Sequence, residues 1–395
     1  MDERQLIDYL SSTEIRDFIR VNEHTPVEKL LLNPPELIRG HEKYVADQLI
    51  SRKKARSKLP SWYENKKVIY PSPVSVEQSS SEITANHKSS LLSTSGEGPI
   101  YDLTGGMGVD TLAFRGKITY VEQDKWLCRV FAHNSSVFNR EIEIIQDPAE
   151  SFLASFSGRA NFYLDPARRD QTHSKVFRFD DCSPRLSELL PFLLEKATNV
   201  WIKASPMIDL KKGVEELDSV RGIHVISVKN EVKEVLFHLE QGWNEDPIIH
   251  CRDLGENWED FSFTFREEAN AERVIAETGD LLLDPGSAIL KAGAFNLIAR
   301  RFPVKKVAIN THLYTSQNVI SGFPGRQFMI IGDGKEVKKY AENGRINVIT
   351  KNYPIRPEAL KKQLKVKDGG DHFLIGFRDL TNKPRLVIAL LVSNV

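Results

Sequence analysis

Glycines and carboxylates occur together in one short stretch of the chain, YDLTGGMGVD at residues 101–110, in a spacing that could hold a ligand. The apolar residues that lead into it predict a buried strand over 99–103, followed by a turn that opens a helix. Glycines in such a turn permit positive φ and let the backbone approach a ligand closely; they are Gly105, Gly106 and Gly108. Strand, glycine turn and helix in this order are how an α/β protein builds a pocket for a nucleotide-like ligand.

Two acidic residues beside the glycines narrow the class of ligand. A dinucleotide fingerprint, G-x-G-x-x-G, counted from Gly106 and Gly108 would need a third glycine where the chain has Thr111. Asp102 is expected to face the pocket as an acceptor, and Asp110 to lie in the first helical turn, where the helix dipole favours a carboxylate. Acids suit an amino group, a sulfonium charge and ribose hydroxyls better than a pyrophosphate. The stretch therefore resembles motif I of the class I S-adenosylmethionine-dependent methyltransferases; an ordinary glycine-rich turn is the alternative.

Polar side chains also follow the next predicted strands. These strands cover 118–121, 142–145, 162–164 and 200–202, and they lead to Glu122, Asp147, Asp165 and Lys203. Because the carboxyl ends of parallel strands meet at one edge of the sheet, we expect these side chains near the glycine turn. Glu122 could accept hydrogen bonds from both ribose hydroxyls, or be a solvated loop acid. Asp147 could accept from an adenine amino group, or cap the next helix.

The sequence DPARR at residues 165–169 resembles motif IV of the same enzymes. Those that methylate amino groups carry Asp/Asn-Pro-Pro-Tyr there and stack a flipped base on the aromatic ring. In this chain Ala167 and Arg168 replace the second proline and the aromatic residue. RNA uracil-C5 methyltransferases carry Asp-Pro-Pro-Arg, but their chemistry needs a cysteine after the fifth strand of the sheet. In this chain the predicted fifth strand, residues 200–202, is followed by KASP at residues 203–206. Cys182 is flanked by aspartates, which would raise the pKa of its thiol, so covalent C5 methylation is not expected.

The remaining chemistry is direct in-line transfer from a sulfonium to a nitrogen or oxygen, which needs alignment, desolvation and a proton acceptor. We expect Asp165 to orient the nucleophile and to accept its proton, with Pro166 beside it in the catalytic motif. Arg168 and Arg169 would bind a phosphate or another anionic part of the substrate, unless they form structural salt bridges. Lys203 is a second candidate to contact that anion.

Two adjacent strand-like runs, 223–228 and 232–239, are separated by only three residues, so they must pair antiparallel. Such a hairpin at the end of a doubly wound sheet resembles the class I methyltransferase fold and differs from the all-parallel dinucleotide-binding fold. We therefore predict an α/β protein with a Rossmann-like, seven-stranded sheet that ends in an antiparallel hairpin. The resemblance implies S-adenosyl-L-methionine as the cofactor.

The residues expected to contact this cofactor share the sheet edge, the glycine turn and the segment before the first strand. They are Gln78, Asp102, Thr104, Gly105, Gly106, Gly108, Asp110, Glu122, Gln123 and Asp147. The segment before the strand, residues 76–88, is rich in small hydroxyl and amide side chains. It could form a lid over a polar ligand; alternatively, one of its serines caps a helix with Glu82 close behind.

Composition limits the classes of protein that the chain can belong to. With 54 basic and 54 acidic residues among 395, any binding to nucleic acid must come from local patches. Three widely spaced cysteines predict neither a disulfide framework nor a zinc site, and no metal is expected. The N-terminus has no signal-peptide pattern, and no apolar run is long enough to span a membrane. We therefore predict a cytoplasmic protein.

Four motifs together resemble one family of bacterial class I methyltransferases whose members append ferredoxin-like and THUMP-like domains to the C-terminus. They are EQSSSE at 77–82, DLTGGMGVD at 102–110, DPARR at 165–169 and KVKDGG at 365–370. The resemblance covers essentially the whole chain. Because THUMP domains are associated with RNA, it implies a tRNA or rRNA substrate. Two alternatives stay open: a methyltransferase of a protein or small metabolite, and a non-catalytic RNA-binding protein that keeps the fold.

This resemblance and the changes in composition predict four regions. An N-terminal helical region covers 1–70, the methyltransferase domain 71–245, a ferredoxin-like segment 246–322 and a THUMP-like α+β domain 323–395. A long helix in the first region ends in a basic run, residues 52–58, which is either a solvated helix terminus or a patch that contacts phosphates.

Overall fold

The computed structural model describes residues 2–94, 96–168, 179–256 and 258–392. Its helices are α1 (Glu3–Ser11), α2 (Thr13–Val21), α3 (Val27–Leu32), α4 (Glu42–Lys58), α5 (Pro60–Glu64), α6 (Pro73–Gln78), α7 (Glu82–Thr94), α8 (Val109–Ala113), α9 (Lys125–Val137), α10 (Ala149–Ser155), α11 (Leu186–Lys196), α12 (Leu210–Leu217), α13 (Phe265–Ala269), α14 (Ser287–Ala292), α15 (Leu297–Arg301), α16 (Val337–Tyr340) and α17 (Pro357–Leu364). Short 3-10 helices cover Glu36–Ile38, Phe179–Asp181 and Gly334–Glu336.

The strands of the described residues form three sheets. They are β1 (Ile100–Asp102), β2 (Ile118–Val121), β3 (Glu143–Ile145), β4 (Ala160–Leu164), β5 (Ala167–Arg168), β6 (Cys182–Ser183), β7 (Ala197–Ala204), β8 (Val220–Val228), β9 (Glu231–Leu239), β10 (Ile248–Asp253), β11 (Phe261–Thr264), β12 (Leu281–Pro285), β13 (Lys305–Ala308), β14 (Thr311–Ser316), β15 (Gly325–Asp333), β16 (Asn347–Lys351), β17 (His372–Arg378) and β18 (Pro384–Val392).

The N-terminal region is helical, as the spacing of its apolar residues predicts. Ile15 of α2 and Leu49 of α4 belong to one buried apolar cluster, which also includes side chains of α1. The side chain of Asp2 caps α1 and that of Ser12 caps α2, since each accepts a hydrogen bond from the first turn of its helix. Caps and a shared core stabilise helices that would be too short to persist alone.

Parallel strands carry the glycine turn at their common edge. The order is β3-β2-β1-β4-β7, followed by β9. Asp102, the last residue of β1, pairs in register with Tyr120 of β2 and with Tyr163 of β4. Strands β1, β2 and β4 are almost entirely buried, as expected for a parallel sheet with covered faces. The parallel register therefore brings the ends of these strands together beside the turn.

Strands β8 and β9 form the predicted hairpin. Its two connecting residues, Lys229 and Asn230, have φ of 51° and 62°, the left-handed values that a two-residue hairpin turn requires. The sheet continues past β8 with β10, which is parallel to β8, and β11, which is antiparallel to β10. The described sheet thus has nine strands, and the prediction of seven was too low. The two missed strands are β10 and β11, and in both of them fully buried residues alternate with less buried ones, as expected for strands with one covered face.

The C-terminal section contains a second mixed sheet, with the strand order β13-β14-β12-β15-β18-β17-β16. Strands β16 and β17 pair in parallel, and the other neighbouring strands of this sheet pair antiparallel. Leu282, Phe328 and Ile375 belong to the apolar cluster of this section. After residue 323 the elements follow in the order β15, α16, β16, α17, β17 and β18.

The chain forms two compact units, residues 1–221 with 236–244, and residues 222–235 with 245–395. The boundaries of the four regions given above stay a prediction. In the described part of the chain, no helix is both long enough and apolar enough to cross a membrane.

Candidate functional site

Two of the three glycines in the turn after β1 are required by packing. A Cβ at Gly105 would lie 2.2 Å from the ring of Tyr120, and one at Gly108 would lie 2.1 Å from the ring of Phe131. Tyr120 and Phe131 stack on each other with ring centroids 3.9 Å apart and form a buried floor below the turn. These two glycines therefore allow the turn to pack against an aromatic pair. The sequence suggested a different reason for glycine at these positions, namely close approach of the backbone to a ligand.

Gly106 is the glycine of this turn with open space beside it. Its φ is +54°, and among the described residues the single non-neighbouring atom within 4 Å of a Cβ at this position is the carbonyl oxygen of Thr104, at 3.6 Å. Its N–H donates to Glu122 Oε2 at 2.9 Å, and its carbonyl accepts from the Tyr120 hydroxyl at 2.7 Å. Both sides of this residue are thus fixed while the space above its Cα stays open.

Asp102 lies beneath the turn and is 1% exposed. Its Oδ1 accepts from the Thr104 N–H at 3.2 Å, and its Oδ2 accepts from the Thr111 hydroxyl at 2.6 Å. Burial raises the pKa of Asp102 to about 7, although the Thr111 hydrogen bond opposes this shift; the neighbouring charge of Asp110 also raises it. The carboxylate orders the turn through protein donors, and its predicted contact with a cofactor stays a prediction.

Asp110 lies in the first turn of α8, as predicted, and belongs to a buried polar network. Its Oδ1 lies 3.1 Å from Lys88 Nζ, and its Oδ2 accepts from the hydroxyls of Ser80 at 2.7 Å and Tyr163 at 2.8 Å. Burial alone would raise the pKa of Asp110, but the charges of Lys88 and Lys203 and the two hydroxyls outweigh it and lower the pKa. These contacts give Asp110 a role in fixing the start of α8.

Lys88 is the main residue of the site that the sequence interpretation missed. It lies on α7, is fully buried, and also donates to the Ser80 hydroxyl at 2.7 Å. The available signal was a single lysine among the buried residues of α7, the others being Thr84, Ala85, Ser89 and Leu92, since buried lysines need a charged partner. Two serines of the segment before Lys88 have different roles. Ser81 accepts a hydrogen bond from the Thr84 N–H and caps α7, whereas the Ser80 hydroxyl donates to Asp110 in the buried network. The helix cap considered for one of these serines is therefore made by Ser81.

Glu122 lies at the end of β2 and is half-buried. Its Oε2 accepts from Gly106 N–H and its Oε1 from Asp124 N–H, each at 2.9 Å. Asp147 follows β3, and its N–H donates to the Glu122 carbonyl at 3.2 Å. The N-cap position of α10 belongs to Pro148, so Asp147 does not occupy the capping position proposed for it. Gln123 is exposed next to Glu122.

Asp165 and Lys203 come together at the ends of β4 and β7. Lys203 Nζ lies 2.5 Å from Asp165 Oδ2, with side-chain exposures of 12% and 34%. The Asp165 N–H donates to the Thr104 hydroxyl at 2.6 Å, which ties this pair to the glycine turn. Pro166, the next residue, is buried. The predicted convergence of these strand ends is therefore present in the geometry.

The contacts of the remaining predicted residues are described only in part. Arg169 lies outside the described residues, and for Arg168 the structure describes only the backbone, which pairs with Cys182 across β5 and β6. Cys182 is fully buried. Gln78 is the last residue of α6 and is exposed. The roles assigned to all of these residues stay predictions.

The basic run at the end of α4 is engaged by neighbouring groups. Lys54 pairs with Glu77 at 2.6 Å, and Lys58 donates to the backbone carbonyls of Val76 and Glu77. Arg52 is buried and donates to the Tyr63 carbonyl at 3.0 Å. The local contacts favour the structural interpretation of this run.

Comparison with known proteins finds similarities to the C-terminal part of the chain and to the chain as a whole. Residues 282–324 match a family model described as a ferredoxin-like domain, and residues 327–393 match one described as THUMP domain-like. A solved structure named putative methyltransferase, from Porphyromonas gingivalis W83, is 27% identical, with 100% of both chains covered and a TM-score of 0.83. The chain has no match among curated proteins.

Other solved structures resemble only part of the chain. A putative methyltransferase from Escherichia coli is 15% identical over 40% of this chain and 86% of its own, with a TM-score of 0.29. A putative RNA methyltransferase from Pyrococcus horikoshii is 14% identical over 40% and 83%, also with a TM-score of 0.29. These two likenesses are too weak to support an argument. The full-length similarity and the two C-terminal matches do: the chain has the fold of a protein named putative methyltransferase over its whole length, and its C-terminal residues match ferredoxin-like and THUMP-like domains.

Proposed function

We propose that the protein is an S-adenosyl-L-methionine-dependent methyltransferase that methylates a nitrogen or oxygen of a tRNA or rRNA nucleotide by direct in-line transfer. The methyltransferase assignment draws on the full-length similarity to a solved structure named putative methyltransferase and on the site at the carboxyl edge of the parallel sheet. The cofactor and the substrate are inferred from the chemistry of that site and from the THUMP-like region.

One observation carries the cofactor assignment, namely the position of Glu122 beside the open space at Gly106. Each carboxylate oxygen of Glu122 accepts one backbone N–H and keeps further acceptor capacity. Two adjacent oxygens at the end of β2 can accept from the two hydroxyls of a ribose, and ionised acceptors form the stronger hydrogen bonds. A side chain at position 106 would occupy the space that such a ligand needs.

Charge in the site favours a cationic ligand. The carboxylates are Asp102, Asp110, Glu122 and Asp165, and the ammonium groups that pair with them are Lys88 and Lys203. Four carboxylates against two ammonium groups leave an excess of two negative charges when Asp102 is ionised, and of one when Asp102 is protonated. The excess suits the sulfonium and amino groups of S-adenosylmethionine and disfavours a pyrophosphate.

Asp165 is the group best placed to act on the nucleophile. Bound cofactor would supply an electrophilic methyl group on a sulfonium. Lys203 engages one oxygen of Asp165, and the carboxylate is still about one third exposed, so its other oxygen can accept a hydrogen bond from the nucleophile and then its proton. The Thr104 hydroxyl accepts a hydrogen bond from the Asp165 N–H and holds the backbone of Asp165 next to the glycine turn. We expect orientation and desolvation of the reacting groups to supply most of the catalysis.

The RNA substrate is supported by the THUMP-like match at residues 327–393, because THUMP domains are associated with RNA. The basic run of α4 adds little, since its lysines and Arg52 are used in local contacts. Overall neutrality means that affinity for RNA must come from local surfaces.

Calorimetry with S-adenosylmethionine and S-adenosylhomocysteine tests the cofactor assignment. Glu122→Gln removes the charge of an acceptor, which is worth about 1.5–3 kcal/mol, so affinity should fall roughly 10- to 100-fold. Glu141→Gln, an equal charge change at an exposed position, is the matched control and should bind like wild type. Equal affinities of wild type and Glu122→Gln would contradict the role given to Glu122.

Two further measurements separate the alternatives. Retention of bulk RNA at increasing salt tests RNA binding, because phosphate contacts weaken steeply with salt. Binding of cofactor without RNA favours a methyltransferase of a protein or small metabolite, and RNA binding without cofactor favours a non-catalytic binding protein. Mass spectrometry of RNA nucleosides from a deletion strain should show one missing methylated nucleoside; an unchanged profile contradicts the RNA substrate.

A further inference from the structure

A small pocket among the N-terminal helices is lined by several basic side chains. Arg16 and Arg20, one turn apart on α2, face it together with Arg52 of α4 and Lys66 of the loop after α5. Apolar side chains, among them Ile19, complete its walls. This concentration of positive charge lies in a chain whose overall charge is zero, and the function proposed above does not use it.

Arg52 is the buried member of this group. It is 8% exposed, its guanidinium donates to the Tyr63 carbonyl at 3.0 Å, and it lies 5.1 Å from the centre of the Tyr63 ring. Its Nε is buried and has no hydrogen-bond partner among the residues that the structure describes. A buried donor without an acceptor is costly, and an anion in the pocket would remove that cost.

The carboxylates near the pocket do not neutralise it. Asp17 pairs with Arg20 at 3.2 Å, but both side chains are more than half exposed, so this pair is weak. Glu23 accepts a hydrogen bond from the Tyr63 hydroxyl at 2.5 Å. Two acids against Arg16, Arg20, Arg52 and Lys66 leave an excess of two positive charges.

We propose that this pocket binds a phosphate group. A tetrahedral dianion accepts hydrogen bonds from several directions, and guanidinium groups donate to phosphate in pairs. A half-enclosed site reduces screening by solvent, so three guanidinium groups and one ammonium group bind a phosphate there more strongly than on an open surface. The inference does not depend on the proposed methyltransferase activity.

Thermal unfolding of the full chain with inorganic phosphate, against chloride at equal ionic strength, tests the site. A ligand that binds only the folded state stabilises it, so phosphate at about 10 mM should raise the Tm of wild type. The variant Arg16→Gln/Lys66→Gln changes side chains outside the core and should lose at least tenfold in phosphate affinity by titration. Lys29→Gln/Lys53→Gln, which removes two exposed charges that do not line the pocket, should bind phosphate like wild type.

Two results would overturn the site: no effect of phosphate on wild type, or an equal effect on wild type and Arg16→Gln/Lys66→Gln. Competition then identifies the source of the phosphate. If a short RNA displaces inorganic phosphate, and its 5′-phosphorylated form does so better than its 5′-hydroxyl form, the pocket takes a terminal RNA phosphate. If neither RNA competes, the pocket takes a free phosphate or a small phosphate ester. Arg52→Gln is a less suitable variant, because loss of a buried contact can unfold the region.

Discussion

Lys88 Nζ lies 3.1 Å from Asp110 Oδ1, and the two side chains are 0% and 9% exposed. This buried ion pair connects α7 to the first turn of α8 directly behind the glycine turn. The hydroxyls of Ser80 and Tyr163 also donate to Asp110. The segment before the first strand is therefore held to the site by an ion pair and hydrogen bonds as well as by packing.

Replacement of Lys88 by methionine should lower the free energy of unfolding by about 3–5 kcal/mol, because it leaves the Asp110 charge buried without its counter-ion. Urea denaturation measures this change. Lys125→Met removes a lysine from a largely exposed pair with Glu3 and should cost less than about 1 kcal/mol. The double variant Lys88→Met/Asp110→Asn should recover part of the loss. Equal effects of Lys88→Met and Lys125→Met would contradict a stabilising buried pair.

Alanine at the glycines of the turn should have different effects. At Gly108 the new Cβ meets the Phe131 ring, and we expect a loss of about 1–3 kcal/mol in unfolding free energy. Leucine at Phe131 should relieve that clash, so the double variant should lose less than the sum of the single ones. At Gly106 the space is open; alanine there should cost about 1 kcal/mol for its left-handed φ and should also weaken cofactor binding. Undiminished cofactor affinity in Gly106→Ala would contradict a ligand at that position.

Asp102 should make stability depend on pH. Burial raises the pKa of Asp102 from 3.8 to about 7, so the folded state favours the protonated carboxyl. Its contribution is therefore fully favourable below pH 3.8 and is lost progressively as the pH rises to about 7. Asp102→Asn removes this dependence, and its stability relative to wild type should increase between pH 5 and pH 7 by about 1.4 kcal/mol or less per unit, then level off. Denaturation at several pH values measures the difference; a constant difference from pH 5 to pH 8 would contradict the raised pKa.

Asp165 and Lys203 should affect transfer more than cofactor binding. Asp165→Asn removes the proposed proton acceptor and should lower kcat by roughly 100-fold or more, with little change in cofactor affinity. Lys203→Met should also lower the rate, because it leaves Asp165 without its partner at 2.5 Å. Single-turnover assays on the identified RNA measure both effects. A large loss of cofactor affinity with an unchanged transfer rate would assign the pair to binding instead.

The residues of the sheet edge could be predicted because parallel strands leave little choice about where their ends meet. Glu122 and Asp165 followed from the polar residue after each apolar run, and the hairpin followed from a connection too short for a crossover. The partner of Asp110 could not be predicted in this way. Lys88 contacts Asp110 from α7, and no local sequence pattern indicates which distant side chain lies next to a buried residue. Gly105 and Gly108 were located correctly, but the reason for them depends on Tyr120 and Phe131, whose stacking is a tertiary contact.

The hydrogen bonds on both sides of Gly106 affect the entropy that the turn would lose when a ligand binds. The N–H of Gly106 is held by Glu122 and its carbonyl by Tyr120, so the peptide groups on both sides of this residue are oriented before any ligand arrives. Little conformational entropy is then left to lose at the turn on association. The amide hydrogen of Gly106 should accordingly exchange slowly with deuterium in the free protein, and much faster in Glu122→Ala, which removes the acceptor.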